Sequence, residues 1–145
     1  MILDQQNLLS DAQAITTTTN STNVIDSLSA ATVPGVPVTP ISIFARVTTT
    51  FAGGTSLGIA VVSADDASLS VNVVKHFDTG AIPVASLAAK AIPLAMRLPP
   101  QKMRKYLGLI YTVVGTMSAG AITAAVVEDL DGLTKTSEYV KGFTA

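Results

Sequence analysis

From Ile41 to Phe51 the chain alternates, with Ile41, Ile43, Ala45 and Val47 on one side, Ser42, Arg46, Thr48 and Thr50 on the other, and Phe44 as the exception. A period of two predicts a half-buried strand. Gly53-Gly54 predicts a turn into a strand over 56–63, and Ala64-Asp65-Asp66-Ala67 a second turn into a strand over Leu69–Phe77 that closes at Asp78-Thr79-Gly80. Earlier, Ala14–Thr19 and Asn23–Asp26 predict short strands around Asn20-Ser21. AIPVA at 81–85 and AIPLA at 91–95 recur at an interval of ten. A proline cannot donate to a ladder, so Pro83 and Pro93 predict edge strands or strand entries.

The longest apolar stretch is Tyr106–Val127, twenty-two residues without a charge. A membrane-spanning helix needs about 20 such residues, so length alone permits one. Its content favours pleated structure: Gly108, Gly115 and Gly120 punctuate it, and β-branched residues crowd 112–116 and 122–127. Met117-Ser118-Ala119-Gly120 then predicts a tight turn joining two buried strands as a hairpin. Tyr106, Ile110 and Val114 alternate with Leu107, Leu109 and Val113, so the first strand is expected to be covered on both faces.

Around these strands the chain is expected to form one domain, 1–145, with an N-terminal arm at 1–9, a proline-rich strap at 34–40, the main strands at 41–128 and a C-terminal tail at 129–145. Pro34, Pro37 and Pro40 suit a polyproline II connection between two sheets. The arm carries Ile2, Leu3, Leu8 and Leu9 and is too short for a stable helix. About eight strands at intervals of 8–12 residues predict an all-β antiparallel sandwich or barrel. The first residues have neither the basic region nor the long apolar core of a signal peptide.

Composition narrows the chemistry. With no cysteine, disulfides, zinc-thiolate sites and cysteine nucleophiles are excluded. Charged residues are 13% of the chain, while Ser and Thr number thirty, so hydroxyls must finish the surface. A net charge of −1 gives no reason to expect nucleic acid. His76 is the single histidine; with Asp78 it makes a pair but no metal site, and a satisfied structural histidine is the expectation. There is no phosphate-binding glycine loop, no nucleophile elbow, and Asp129-Leu130-Asp131-Gly132 lacks the rest of a calcium loop. An enzyme is not expected, nor a cofactor. Arg97, Lys102, Arg104 and Lys105 concentrate positive charge at 97–105 inside a stretch, 80–127, that has no acid. That is either a solvated basic loop or a patch for an acidic partner.

Three stretches carry a family likeness: MRKYLGLIYTVVGTMSAGAITAAVVED at 103–129, KHFDTGAIPVASLAAKAIPLAMRLPP at 75–100 and the opening MILDQQNLLSDAQAITTTTNSTNVID. Nearly the whole chain resembles the capsid cement proteins of tailed bacteriophages, of the Bordetella-phage type. The most specific part is K-Y-L-x-L-x-Y-x-V-x-G-T followed by A-G-x-I-T-A. The resemblance implies a small jelly roll on the outer surface of an icosahedral virion shell, made in the host bacterial cytoplasm, that pairs as a homodimer and ties neighbouring major capsid proteins together. No membrane partner is implied. On that footing Ile2, Leu3, Leu8 and Leu9 of the arm and Arg97, Lys102, Arg104 and Lys105 of the basic loop are expected to contact the capsid. Two alternatives share parts of the pattern: a carbohydrate- or receptor-binding jelly-roll module, for which surface aromatics are few, and a holin-like membrane protein using Tyr106–Val127 as its span.

Overall fold

A computed structural model describes residues 4–26, 42–98, 103–127 and 130. Two antiparallel sheets face each other. In the first, β1 (Leu8–Ala14), β10 (Met117–Val127), β4 (Ser42–Gly53) and β8 (Leu94–Arg97) lie side by side in that order. The second runs β2 (Thr19–Asn20), β9 (Tyr106–Val114), β5 (Ser56–Ala64) and β6 (Val74–Asp78). Two short strands extend its outer positions: β3 (Ile25–Asp26) pairs with β9 beyond β2, and β7 (Ile82–Pro83) pairs with β5 beyond β6. Among the described residues there are thus eight strand positions, four to a sheet. Along the chain they fall in the first sheet, second, first, second, second, first, second and first. Such an order is that of a double-sheet jelly roll.

The alternating faces meet as the core. Ile43, Ala45 and Val47 of β4 and Ile122 and Ala124 of β10 pack against Leu57, Ile59 and Val61 of β5 and Leu107, Leu109 and Tyr111 of β9. Threonines and Arg46 stay on the outward side of β4, as alternation predicts, although Ser42 and Phe44 are buried there as well. β5 and the first half of β9 are covered on both faces. A second cluster of Ala60, Val62, Ala64 and Leu69, with Val24, Tyr106 and Ile110 against it, lies on the outside of that sheet. Leu69 enters it directly over Gly108, where a Cβ would stand 2.6 Å from the leucine Cδ1. Only the absence of a side chain lets the loop approach so closely.

The uncharged run forms two strands, β9 and β10, and no described helix is long and apolar enough to cross a membrane. The helical span is therefore overturned. The hairpin is corrected too: β9 and β10 belong to opposite sheets and pair with other strands. The turn lies at Gly115-Thr116, ahead of the small residues at 117–120, which are inside β10. Gly115 has φ 86° and packs on the neighbouring crossover at Gly53-Gly54, its α-carbon so close that a Cβ would lie 2.9 Å from that of Gly54. Two sheet-to-sheet crossovers meet there, and neither could move aside for a side chain.

Other expectations shift by a few residues. Residues 5–7 make a 3₁₀ turn capped by Asp4, whose carboxylate accepts the Gln6 N–H at 3.1 Å. Leu8 and Leu9 are not arm: they open β1, and Leu9 is fully buried. The strand expected over Ala14–Thr19 is replaced by the end of β1, a bend that sends Ile15 into the core, and β2. In that bend Thr18 Oγ1 accepts the Val113 N–H at 3.0 Å, standing in for a ladder carbonyl. The strand expected from Leu69 starts at Val74, because 65–73 folds back over the sheet. Pro83 lies in β7 and Pro93 just before the edge strand β8, as expected. The strap at 34–40 and the tail from 131 onward lie outside the described residues.

Candidate functional site

His76, on edge strand β6, is held by Ser63 of β5, Nε2 to Oγ at 2.6 Å. The same hydroxyl accepts the Arg104 N–H at 3.0 Å, so one buried serine joins β5, β6 and the start of β9. Asp78 is engaged elsewhere, with Lys75 Nζ at 2.6 Å and the Gly80 N–H at 2.9 Å. These bonds hold its carboxyl below the usual range, the lysine contributing most. His76 and Asp78 therefore serve separate structural roles, and no group of three or more His, Cys, Asp or Glu among the described residues is placed to hold a metal.

The 65–73 loop is braced by its own acids. Asp66 accepts from both Ser68 and Ser70 hydroxyls and from the Ser70 and Val71 N–H groups at 2.9 and 2.7 Å. Hydrogen bonds to the ionised form, that of Ser68 first, keep its carboxyl far below the ordinary range. Asp65 accepts from Asn72 Nδ2 at 2.7 Å and from Arg104 Nη1 with both oxygens at 2.9 Å. These bonds, Asn72 before Arg104, lower its pKa as well.

Two of the expected contact residues are thus committed inside the molecule. Arg104 is tied to Asp65, and Lys105 lies 3.8 Å from Asp26 with its ammonium 4.9 Å from the Tyr106 ring centre. Tyr106 and then Asp26 raise the Lys105 pKa. Arg97 is exposed in β8, opposite Ser42. Leu8 is half-buried, and Leu9, with no exposed surface, is a core residue that cannot touch a partner. Ile2, Leu3 and Lys102 lie outside the described residues.

What sequence reasoning passed over is the outer face of the first sheet. A cavity of about 370 Å³ opens there, lined by Phe44, Arg46, Val47, Thr48, Ala89, Lys90 and Thr123. The signal was a lone arginine on the threonine side of β4, but nothing near it in sequence showed that Lys90 would stand beside it. A smaller depression of about 270 Å³ lies on the outside of the second sheet, among Ser56, Gly58, Thr112 and the Lys75–Asp78 pair.

A search of curated proteins finds no match to the chain. Residues 9–126, from Leu9 in β1 to the last-but-one residue of β10, match the model of a family described as Bbp16.

Proposed function

The chain belongs to the Bbp16 family, and from that premise we propose that it is a structural phage protein, a cement protein that binds the outside of an icosahedral head and holds major capsid proteins together. The observation that carries the reading is the family match, whose name suggests a Bordetella phage protein. The fold is suited to the task. Both sheets are closed by a packed core, and the loops at 65–73 and 103–105 are pinned by ion pairs, so the surface offered to a neighbour is rigid before binding. A rigid surface loses little conformational entropy on docking, and many copies on one shell turn modest contacts into a strong seal.

A second copy is the other proposed partner, as a homodimer on the shell. The test is direct: purified protein is added to expanded heads lacking it, and occupancy is read by cryo-electron microscopy and head stability by heating. External occupancy with a higher disruption temperature is expected. Heads that stay bare at saturating protein would overturn the cement reading, and a monomer's mass in solution and on the head would overturn the dimer.

A further inference from the structure

The cavity on the first sheet has a composition that points to a specific kind of occupant. Phe44, Arg46 and Thr48 point outward because Ile43, Ala45 and Val47 between them face the core. Thr123 stands opposite Arg46 across the β4–β10 ladder. The other wall comes from 87–91, which continues the edge of β4: the Lys90 N–H donates to the Val47 carbonyl and the Val47 N–H to the Ala91 carbonyl, each at 2.8 Å. Lys90 holds φ 75° there, an uncommon backbone for a lysine that those bonds fix in place.

Charge distinguishes this groove from the basic loop. Lys75, Arg104 and Lys105 each have a carboxylate partner, and Arg97 is also engaged. Arg46 and Lys90 have no ion pair and no side-chain hydrogen bond among the described residues, and none of the described residues lining the cavity is an acid. Two uncompensated cations therefore flank the groove, with two threonine hydroxyls beside them. At about 370 Å³ the groove is small among ligand-sized cavities of roughly 300–1,000 Å³, enough for a side chain or two of an extended segment.

We propose that this groove docks an acidic, extended segment of a neighbouring protein, with a carboxylate of that segment between Arg46 and Lys90. Taking that neighbour to be the shell protein rests on the function proposed above. The docking face is then the outside of the β1-β10-β4-β8 sheet, and Arg104 and Lys105 serve to brace the molecule.

Two assays separate this inference from the cement reading. In the first, a short blocked peptide alternating glutamate with leucine is titrated into the protein and followed by amide chemical shifts. Shifts centred on Phe44, Arg46, Thr48, Ala89, Lys90 and Thr123 are expected. The Arg46→Gln/Lys90→Gln variant should bind about tenfold more weakly, as for two partly exposed ion pairs. Lys75→Gln, on the other sheet, should bind unchanged, and a peptide with glutamine for glutamate should fail. Shifts elsewhere, or equal binding by the double variant, would overturn the proposal. So would capture of the wild type, but not the double variant, by phosphatidylserine vesicles in place of the peptide, since the occupant would then be a membrane. In the second assay both proteins are added to bare heads. Equal occupancy sinks the groove and leaves the cement reading standing. Should the wild type itself not bind heads, the cement reading falls, and the peptide result alone decides the groove.

Discussion

Tyr111 has no exposed surface, yet it carries a hydroxyl into the space between the sheets. That hydroxyl meets Ser10 Oγ at 2.8 Å, Ser10 donates to Gln13 Oε1 at 2.7 Å, and the same amide oxygen accepts the Thr22 N–H at 2.9 Å. One relay thereby connects β9 to β1 and to the connection between β2 and β3. Removing the phenol oxygen leaves Ser10 short of a partner, so Tyr111→Phe is expected to cost about 1–2 kcal/mol, read as a lower urea midpoint. Burial pushes the Tyr111 pKa up to about 12 from its ordinary 10.0. A raised value means that the unfolded chain loses its proton first. Stability is therefore complete below about pH 10 and falls by about 1.4 kcal/mol per pH unit between 10 and 12. Tyr111→Phe should show a shallower alkaline loss, and identical slopes would disprove the assignment. The burial of Tyr111 was legible only in that its strand was expected to be covered on both faces. Its partner was not, since Ser10 lies a hundred residues away. For the same reason Arg104 and Lys105 read as an open basic patch until the fold brought Asp65 and Asp26 to them.

The loop between β5 and β6 depends on one interior leucine and one aspartate. Gly108→Ala would put a methyl against Leu69, with an expected loss of about 1–3 kcal/mol. Adding Leu69→Ala should return part of that loss, so the double variant would be less destabilised than the two changes summed. Strict additivity by denaturant titration would mean that the two sites do not touch. Asp66 makes the loop acid-sensitive. Its folded pKa is depressed, so the bracing is present above the ordinary value near 3.8 and is lost as pH falls toward the folded one. Proteolytic nicking within 65–73 should rise in acid, and Asp66→Asn should show that susceptibility at neutral pH. Glycines and β-branched residues made the two strands of Tyr106–Val127 readable. The turn between them was misplaced because the small residues at 118–120 resemble a turn, whereas its position is fixed by contact with Gly54. The arm was overcounted likewise: Leu9 looks like an exposed tip until β10 is laid beside it. A deletion of residues 2–9 would empty part of the core, so Ile2→Ser/Leu3→Ser is the sounder probe of capsid contact. Normal head occupancy by that variant would remove the arm from the contact surface.

At the scale of the whole molecule, alternation and spacing were enough for an all-β sandwich, but not for its strand order. Order is set by which sheet each crossover enters, and two of the crossovers meet at Gly54 and Gly115, far apart in sequence. The strand order also has a consequence in time. β10 lies between β1 and β4, and β9 between β2 and β5, so the last two described strands each fill one of the two inner positions of their sheet. A ribosome adding about 5–20 residues per second exposes β1 to β8 before either sheet can be completed. Native pairing of both sheets must then wait for residues 106–127, with β1 held as an unpaired edge for a partner more than a hundred residues downstream. A chain stopped after Lys105 is expected to show no cooperative unfolding transition, whereas a cooperative transition in it would refute that order of events. The interval before Val127 is added is the window in which chaperones would hold the nascent protein, and codon changes upstream of Tyr106 should leave its yield nearly unaffected.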